Sequence, residues 1–187
     1  MNNQLQLRQL FVFSIVIAFC VWACNLHSQQ IQVPATSIVP HFSPQGGCTA
    51  AICKELDAAK TQILVQAYAF TSQAVAQSLI SAHQRGVEVV VILDAKENKG
   101  ATAVTNGPEL VTAGVTTFAD PVHNIAHNKV MVIDQATLIT GSFNFTTSAE
   151  LHNAENLLVI KGYPSLIKSY TDNFNLHKSH SVPYTGK

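Results

Sequence analysis

The chain has 187 residues, of which 47% are hydrophobic and 12% are charged. This length suits one domain with a sizeable core, and the composition excludes a disordered or fibrous protein. The 11 basic residues balance the 11 acidic ones, so the protein is not a polycation that binds nucleic acid through bulk charge. Composition alone therefore indicates no partner.

An apolar segment lies close to the N-terminus. The run from Leu10 to Ala23 contains one polar residue, Ser14, and is shorter than the ~20 apolar residues that a membrane-spanning helix needs. We therefore expect residues 1–28 to be a signal peptide, with the protein exported to the periplasm or secreted. Two alternatives stay open: residues 10–24 are retained as an inner-membrane anchor, or Cys24 carries a lipid, although the bulky Trp22 makes a poor lipoprotein signal.

The next residues are polar and rich in turn-forming types. Residues 29–46 contain many Gln, Pro, Ser and Gly side chains, so we expect a linker at 29–40 and an edge strand around Ser37–Phe42. The main domain is predicted at 41–178. The polar residues 179–187 are predicted to form a flexible tail.

The first half of the domain alternates between helical and extended patterns. A helix is predicted at 48–60, a strand at 63–70, a helix that Ser72 caps and that ends by Gly86, and a strongly apolar strand at 87–93. A strand, a helix and a second strand that is apolar on both faces indicate a parallel pair covered on both sides.

The second half has weaker signals up to Asn124. The pattern predicts a helix at 109–113, strands at 115–118, 129–133, 137–140 and 157–160, and a last helix at 163–176. The expected fold class is therefore α/β, with a mixed, largely parallel β-sheet flanked by helices on both faces.

Two of the four cysteines lie in the main domain. Cys48 and Cys53 are five positions apart, which along a helix separates their Cα atoms by about 8 Å, too far for a disulfide. A bridge requires Cys48 to precede the first helical turn, and the alternative is two small buried apolar residues. Because no histidines stand beside the cysteines at ligand spacing, we expect no metal site.

The strongest chemical signal is His127-Asn128-Lys129, followed by Asp134 in a His-x-Lys-x4-Asp spacing. Strand residues two apart face the same side, about 7 Å from each other, so His127 and Lys129 can bracket a phosphate-sized anion. Asp134 follows at an odd offset at the far end of the strand. We therefore expect it to support the structure near the site.

Three further polar residues follow. Ser142 and Asn144 alternate with two aromatic residues and offer donors to phosphate oxygens, whereas Phe143 and Phe145 are expected in the core. Glu155 opens a buried strand, where its carboxylate can hold an imidazole through Nδ1.

These residues resemble the phospholipase D superfamily. His127, Lys129 and Asp134 match its HKD motif, and the segments GSFNFT (141–146) and HNAEN (152–156) are similar to those of small bacterial nucleases with a single motif. The resemblance implies an α-β-α sandwich and cleavage of phosphodiesters through a phosphohistidine, without metal or other cofactor. It also implies a homodimer with one active site at its interface. The implied catalytic residues are His127, Lys129, Asp134 and Glu155, and the implied phosphate-binding residues are Lys129, Ser142 and Asn144.

The chemistry requires two histidines independently. In a displacement at phosphorus, the nucleophile and the acid that protonates the leaving oxygen lie on opposite sides, so one imidazole cannot perform both tasks at once. No other histidine in the sequence has a lysine two positions later. A two-fold dimer would supply the second His127.

Three functions are compatible with this pattern. The preferred one is a non-specific endonuclease that cleaves DNA through His127, with RNA as a further candidate substrate. The alternative is a phospholipase D-type hydrolase of phospholipid head groups, which would contact a membrane through its anchor only if residues 10–24 are retained. A module that binds nucleic acid without cutting it is disfavoured by the intact set of His127, Lys129 and Glu155.

Overall fold

A computed structural model describes residues 36–98 and 104–186. The expected signal peptide or anchor at 1–28 and residues 29–35 of the expected linker lie outside these ranges. Within the described ranges, no helix is both long enough and apolar enough to cross a membrane.

The described strands form one eight-stranded sheet. They are Ser37–Ser43 (β1), Gln62–Ala67 (β2), Glu88–Asp94 (β3), Thr116–Asp120 (β4), Lys129–Ile133 (β5), Thr137–Gly141 (β6), Glu155–Lys161 (β7) and Val182–Pro183 (β8). Their order across the sheet is β1-β7-β6-β5-β2-β3-β4-β8.

The sheet is mixed, as the sequence predicts, but it is not largely parallel. Strand β3 runs parallel to both β2 and β4, whereas the other neighbouring pairs are antiparallel. Strands β5 and β6 are joined by a three-residue turn at 134–136, and a connection that short can join only antiparallel neighbours. The expectation of a mainly parallel sheet was wrong because it applied the parallel pairing of the first half of the domain to the second half, where a short turn joins β5 to β6.

Five helices are described alongside the sheet: Cys48–Ala58 (α1), Gln73–Gln84 (α2), Gly107–Thr112 (α3), Thr147–Leu151 (α4) and Pro164–His180 (α5). Ser72 caps α2 as expected, with its side chain accepting a hydrogen bond from the backbone N–H of Val75. The sequence did not predict α4, which is too short to display a helical period.

Apolar side chains cover both faces of the sheet. On one face, buried residues of α1 to α4 pack with β-strand residues that include Val65 and Met131. On the other face, Ile167 and Phe174 of α5 pack with the alternate strand residues, including Val132. The predicted flanking of the sheet by helices on both faces is therefore confirmed. Phe143 and Phe145 are fully buried in the first of these clusters, as expected.

The edge strand predicted around Ser37–Phe42 is confirmed as β1, so ordered structure begins inside the predicted linker at 29–40. The other end of the predicted main domain is more ordered than expected. The predicted flexible tail at 179–187 contains the end of α5 and strand β8, which pairs with β4. Tyr184 is buried, and its hydroxyl donates a 2.7 Å hydrogen bond to the carbonyl of Asn98. The prediction of a flexible tail was wrong because most residues of this segment are polar, and composition does not show that Tyr184 is buried.

Both cysteines of the main domain are free thiols in α1. Cys48 is the first residue of the helix, so the five-residue spacing is helical and does not close a bridge. Burial is the main cause that raises the pKa of Cys48 to about 11. The interpretation as small buried residues holds for Cys48, whereas Cys53 is half-buried.

Candidate active site

The sheet topology brings the predicted site residues to the same end of neighbouring strands. Strand β5 begins at this end, because Lys129 pairs with Ala67 at the end of β2. Strand β6 ends here and β7 begins here, since Gly141 pairs with Leu157. Segments that are distant in sequence therefore place His127, Lys129 and Glu155 at the same end of three strands.

His127 and Lys129 have different environments although they are two positions apart. The His127 side chain is exposed, and its ring lies against Tyr68 with 4.7 Å between the ring centroids. Lys129 is buried, and its Nζ donates a 2.8 Å hydrogen bond to the carbonyl of His127. The Lys129 Nζ also lies 5.1 Å from the centre of the Tyr68 ring. The Lys129 side chain thus supports the backbone of His127 and lies beside the Tyr68 ring.

The charge of Lys129 is influenced by its burial and by Glu155. Burial lowers the pKa of Lys129, and the negative charge of Glu155 partly opposes this shift. Glu155 is half-buried and accepts a 3.3 Å hydrogen bond from the Asn153 side chain. The structure gives no hydrogen bond between Glu155 and His127 within the described residues, so the orienting role of Glu155 stays a prediction.

Ser142 and Asn144 follow the end of β6, next to the start of β5. The Ser142 Oγ accepts hydrogen bonds from the backbone N–H and the side-chain amide of Asn156, at 3.1 and 3.2 Å. These bonds use its lone pairs and leave its O–H free to donate. The Asn144 Oδ1 is buried without a hydrogen-bond partner among the described residues. Unpaired buried polar atoms are rare in folded proteins, and a functional role is one explanation for them.

Gly141 allows the backbone at this corner to approach β7 closely. A Cβ built on Gly141 would lie 2.2 Å from the carbonyl oxygen of Asn156, and the φ angle of Gly141 is +154°. Any side chain here would therefore push the two backbones apart. The carbonyl of Asn156 also accepts from the backbone N–H groups of Ser142 and Phe143. Glycine thus fixes the position of Ser142.

Residues 52–178 of the chain match the family described as "Cardiolipin synthase, PLD-like domain". The match covers more than half of the chain and contains every site residue named above. The chain belongs to the phospholipase D superfamily. It is a phosphodiesterase of that superfamily, as the resemblance of its motifs implies.

Curated relatives and a solved structure agree with this membership. A protein named phospholipase D from Rickettsia bellii is 36% identical over 155 residues, which cover 83% of this chain and 76% of the relative. A mitochondrial cardiolipin hydrolase from Xenopus laevis is 32% identical over 153 residues, covering 76% of this chain and 71% of the relative. The crystal structure of the phospholipase D family member Nuc from Salmonella typhimurium is 32% identical with a TM-score of 0.76, covering 80% of this chain and 99% of Nuc.

Asp134, the last residue of the phospholipase D motif, lies at the other end of β5. Its carboxylate accepts hydrogen bonds from the backbone N–H groups of Lys60, Thr61 and Gln62 and from the Thr61 hydroxyl, at 2.8 to 3.0 Å. Burial opposes its ionisation, but these bonds outweigh that effect and lower its pKa. Five strand residues, or about 16 Å, separate this end from the site. The structure therefore corrects both the placement of Asp134 near the site and its inclusion among the implied catalytic residues, because its carboxylate is occupied by residues 60–62. These hydrogen bonds agree with the structural role that its position in the sequence predicts.

Two residues of this phospholipase D site were missed at the sequence level. Tyr68 contacts both His127 and Lys129, and its place directly after β2 is the signal that could have indicated it. Asp94 is buried at the end of β3, and its Oδ2 accepts a 2.7 Å hydrogen bond from the backbone N–H of Ala126. Asp94 therefore anchors the segment that carries His127.

Proposed function

We propose that this phosphodiesterase is a non-specific endonuclease that cleaves DNA, and RNA by the same chemistry, through a phosphohistidine on His127. The observation that carries this proposal is a convergence at one end of the strands. The exposed imidazole of His127, the buried Lys129 and the polar side chains of Ser142 and Asn144 all lie there. An exposed nucleophile can reach a phosphodiester inside a long polymer, because the polymer does not have to thread through a cavity to bind.

In the first step, a ring nitrogen of His127 attacks phosphorus and the bond from phosphorus to the leaving oxygen breaks. The partner's His127 donates its proton to that oxygen. In the second step, the partner's His127 takes a proton from water. The resulting oxygen attacks phosphorus and the phosphorus–nitrogen bond breaks, which regenerates the imidazole.

Donors from the chain supply the charge stabilisation that the reaction needs. Lys129 carries the positive charge nearest to His127 in the motif, and the Ser142 hydroxyl has its proton available. Asn144 adds an amide beside them. Because these donors neutralise the non-bridging oxygens, the proposed mechanism requires no metal at phosphorus.

A homodimer completes the proposed site. The sequence contains one His-x-Lys pair, and the reaction requires two imidazoles on opposite sides of phosphorus. Subunit exchange tests this arrangement. If wild-type chains are mixed with His127→Asn chains and allowed to exchange, activity should fall with the square of the wild-type fraction. A linear fall would contradict a shared site.

Hydrolysis of phospholipid head groups is the second candidate. Val122 and Ile125 are exposed in the segment that leads to His127, where they could contact a lipid surface. The relatives named phospholipase D and cardiolipin hydrolase also favour it. Export to the periplasm or outside the cell, or retention on the inner membrane, belongs to the proposal and rests on the apolar segment at 10–23.

A substrate panel distinguishes the two candidates. The purified protein is incubated with plasmid DNA, single-stranded DNA, RNA, and vesicles of phosphatidylcholine or cardiolipin, each with and without chelator. His127→Asn serves as the inactive control. We expect nicked plasmid with chelator present and no lipid hydrolysis; cleavage of vesicles alone would select the lipid candidate, and plasmid cleavage by His127→Asn would reject the mechanism.

A further inference from the structure

A second polar cluster lies at the end of β4, next to the segment that carries His127. The cluster consists of Asp120, His123, His177 and His180, and one potential ligand atom from each residue lies within 4.8 Å of the others. Asp120 ends β4, His123 follows in the next turn, and the other two histidines occupy the last turn of α5. Three imidazoles and a carboxylate therefore converge from three segments.

All three imidazoles face the same carboxylate oxygen. The Nδ1 atoms of His123 and His177 lie 2.9 Å from the Asp120 Oδ2, and the Nε2 of His180 lies 3.3 Å from it. The other oxygen of Asp120 accepts the backbone N–H of Val122 at 3.0 Å. One carboxylate oxygen offers about two lone pairs, so three N–H donors exceed what it can accept. Hydrogen bonding alone does not account for the convergence.

A central cation accounts for it better. An imidazole with its proton on the distant nitrogen offers a lone pair, and imidazole and carboxylate groups are common ligands of zinc. In a tetrahedral zinc site with bonds of about 2.0 Å, neighbouring ligand atoms lie about 3.3 Å apart. The three nitrogen–oxygen distances in the cluster are close to this value. We propose that Asp120, His123, His177 and His180 bind one zinc ion.

The burial of the cluster suits a structural metal that can enter from solvent. The Asp120 side chain is completely buried, whereas the His123 side chain is 43% exposed. His177 and His180 are 12% and 27% exposed. The buried carboxylate thus lies beneath imidazoles that stay partly open to solvent.

The site would connect the C-terminal helix to the catalytic segment. His123 lies four residues before His127, and the backbone of Ala126 between them is held by Asp94. A zinc ion would attach the start of this segment to the last turn of α5. The site takes no part in the proposed chemistry at phosphorus, so the two proposals can fail separately.

Zinc titration tests the site directly. The purified protein is freed of metal with a chelator, dialysed, and titrated with Zn²⁺ in competition with a chromogenic chelator. We expect one zinc per chain with a Kd of about 1 µM or lower, and a rise in Tm of at least about 3 °C at 100-fold excess over the Kd. Replacement by Co²⁺ should give the intense visible absorption of four-coordinate cobalt. Absence of saturable zinc binding would overturn the proposal.

Matched histidine variants locate the bound ion. We expect His123→Asn and His177→Asn to lose stoichiometric zinc binding and the zinc-dependent rise in Tm. The control is His41→Asn, in β1 at the opposite edge of the sheet, which should bind zinc like the wild type. If His177→Asn does not fold, His123→Asn decides, because its side chain is the most exposed of the four. Zinc binding that both cluster variants retain would place the ion elsewhere and overturn the proposal.

Discussion

The two ends of β5 use their polar residues in opposite ways. At one end, the Asp134 carboxylate accepts four hydrogen bonds from residues 60–62. At the other end, the His127 ring is exposed, and burial lowers the pKa of Lys129. One sequence motif thus contains a reactive end and a structural end. Substitutions at the two ends should therefore separate loss of rate from loss of stability.

Replacement of His127 should have the largest effect on rate. We expect His127→Asn to lower kcat by about 10⁴-fold or more, because the nucleophile and the proton donor are both removed from a two-fold site. Because the side chain is exposed, Tm should change by less than about 2 °C. Hydrolysis of a chromogenic phosphodiester and thermal denaturation measure both quantities. A large loss of Tm would contradict the division between the two ends.

Replacement of Lys129 comes next. We expect Lys129→Met to lower kcat by about 10² to 10³-fold, since it removes a buried charge from the developing oxyanion. Methionine retains most of the apolar volume of the stem. The matched control, Lys168→Met, removes an exposed lysine on α5 that pairs with Asp172 and should leave kcat unchanged.

The contribution of Lys129 to kcat should also depend on pH. The pKa of Lys129 is lowered, so this group loses its charge at a lower pH than an ordinary lysine does. The alkaline limb of the kcat profile should therefore fall below the usual lysine range of about 10.4. A Lys129→Met profile that retained this limb would assign it to another group.

Replacement of Ser142 should have a smaller effect. We expect Ser142→Ala to lower kcat by about tenfold, because one neutral hydroxyl donor to a phosphate oxygen is lost. Ser165→Ala, at an exposed position in the first turn of α5, is the control. Equal rates for the wild type and Ser142→Ala would remove Ser142 from the phosphate-binding set.

Replacement of Asp134 should leave kcat of the folded enzyme unchanged and reduce stability. The φ angle of Asp134 is +52°, which asparagine tolerates, so Asp134→Asn tests the charge without adding backbone strain. We expect a loss of about 1–3 kcal/mol in the free energy of unfolding at pH 7, typical of hydrogen bonds to a charged acceptor. Urea denaturation measures it.

The pH dependence of this loss has a defined sign. The pKa of Asp134 is lower in the folded protein than in the unfolded chain, so its contribution is complete above the unfolded value of about 3.9. The contribution disappears as pH falls through the lower folded value. The stability difference between the wild type and Asp134→Asn should therefore shrink in acid. A difference that stayed constant would indicate a cause other than ionisation.

Local patterns predicted most of the fold. The apolar runs of β2, β3 and β5 and the periodic faces of α1, α2 and α5 are dictated by burial, which is visible in a short window of sequence. Strand β8 is only two residues long and exists because Tyr184 docks at a distant site. A strand whose pairing depends on such long-range contacts shows no periodic pattern of apolar residues in its own sequence.

The sequence predicted which segments carry the site better than it predicted the side-chain environments. His127 and Lys129 lie at the same end of the sheet, but His127 precedes β5, so strand alternation does not describe the pair, and one side chain is exposed while the other is buried. The spacing also could not show which backbone N–H groups donate to Asp134. Asp120 and His177 are 57 positions apart, and only the docking of α5 brings them to 2.9 Å. A motif scan therefore had no means of detecting the second cluster.

The short strand β8 has a practical consequence for handling the protein. It covers the outer edge of β4, where Val182 and Pro183 pair with Ala119 and Phe118. An uncovered strand edge is a template for association with other chains. Shortened versions that end before Val182 would expose this edge and the Tyr184 socket together, and we expect them to aggregate during expression. Affinity tags and fusion partners are therefore better attached through a spacer beyond Gly186 than in place of the last residues.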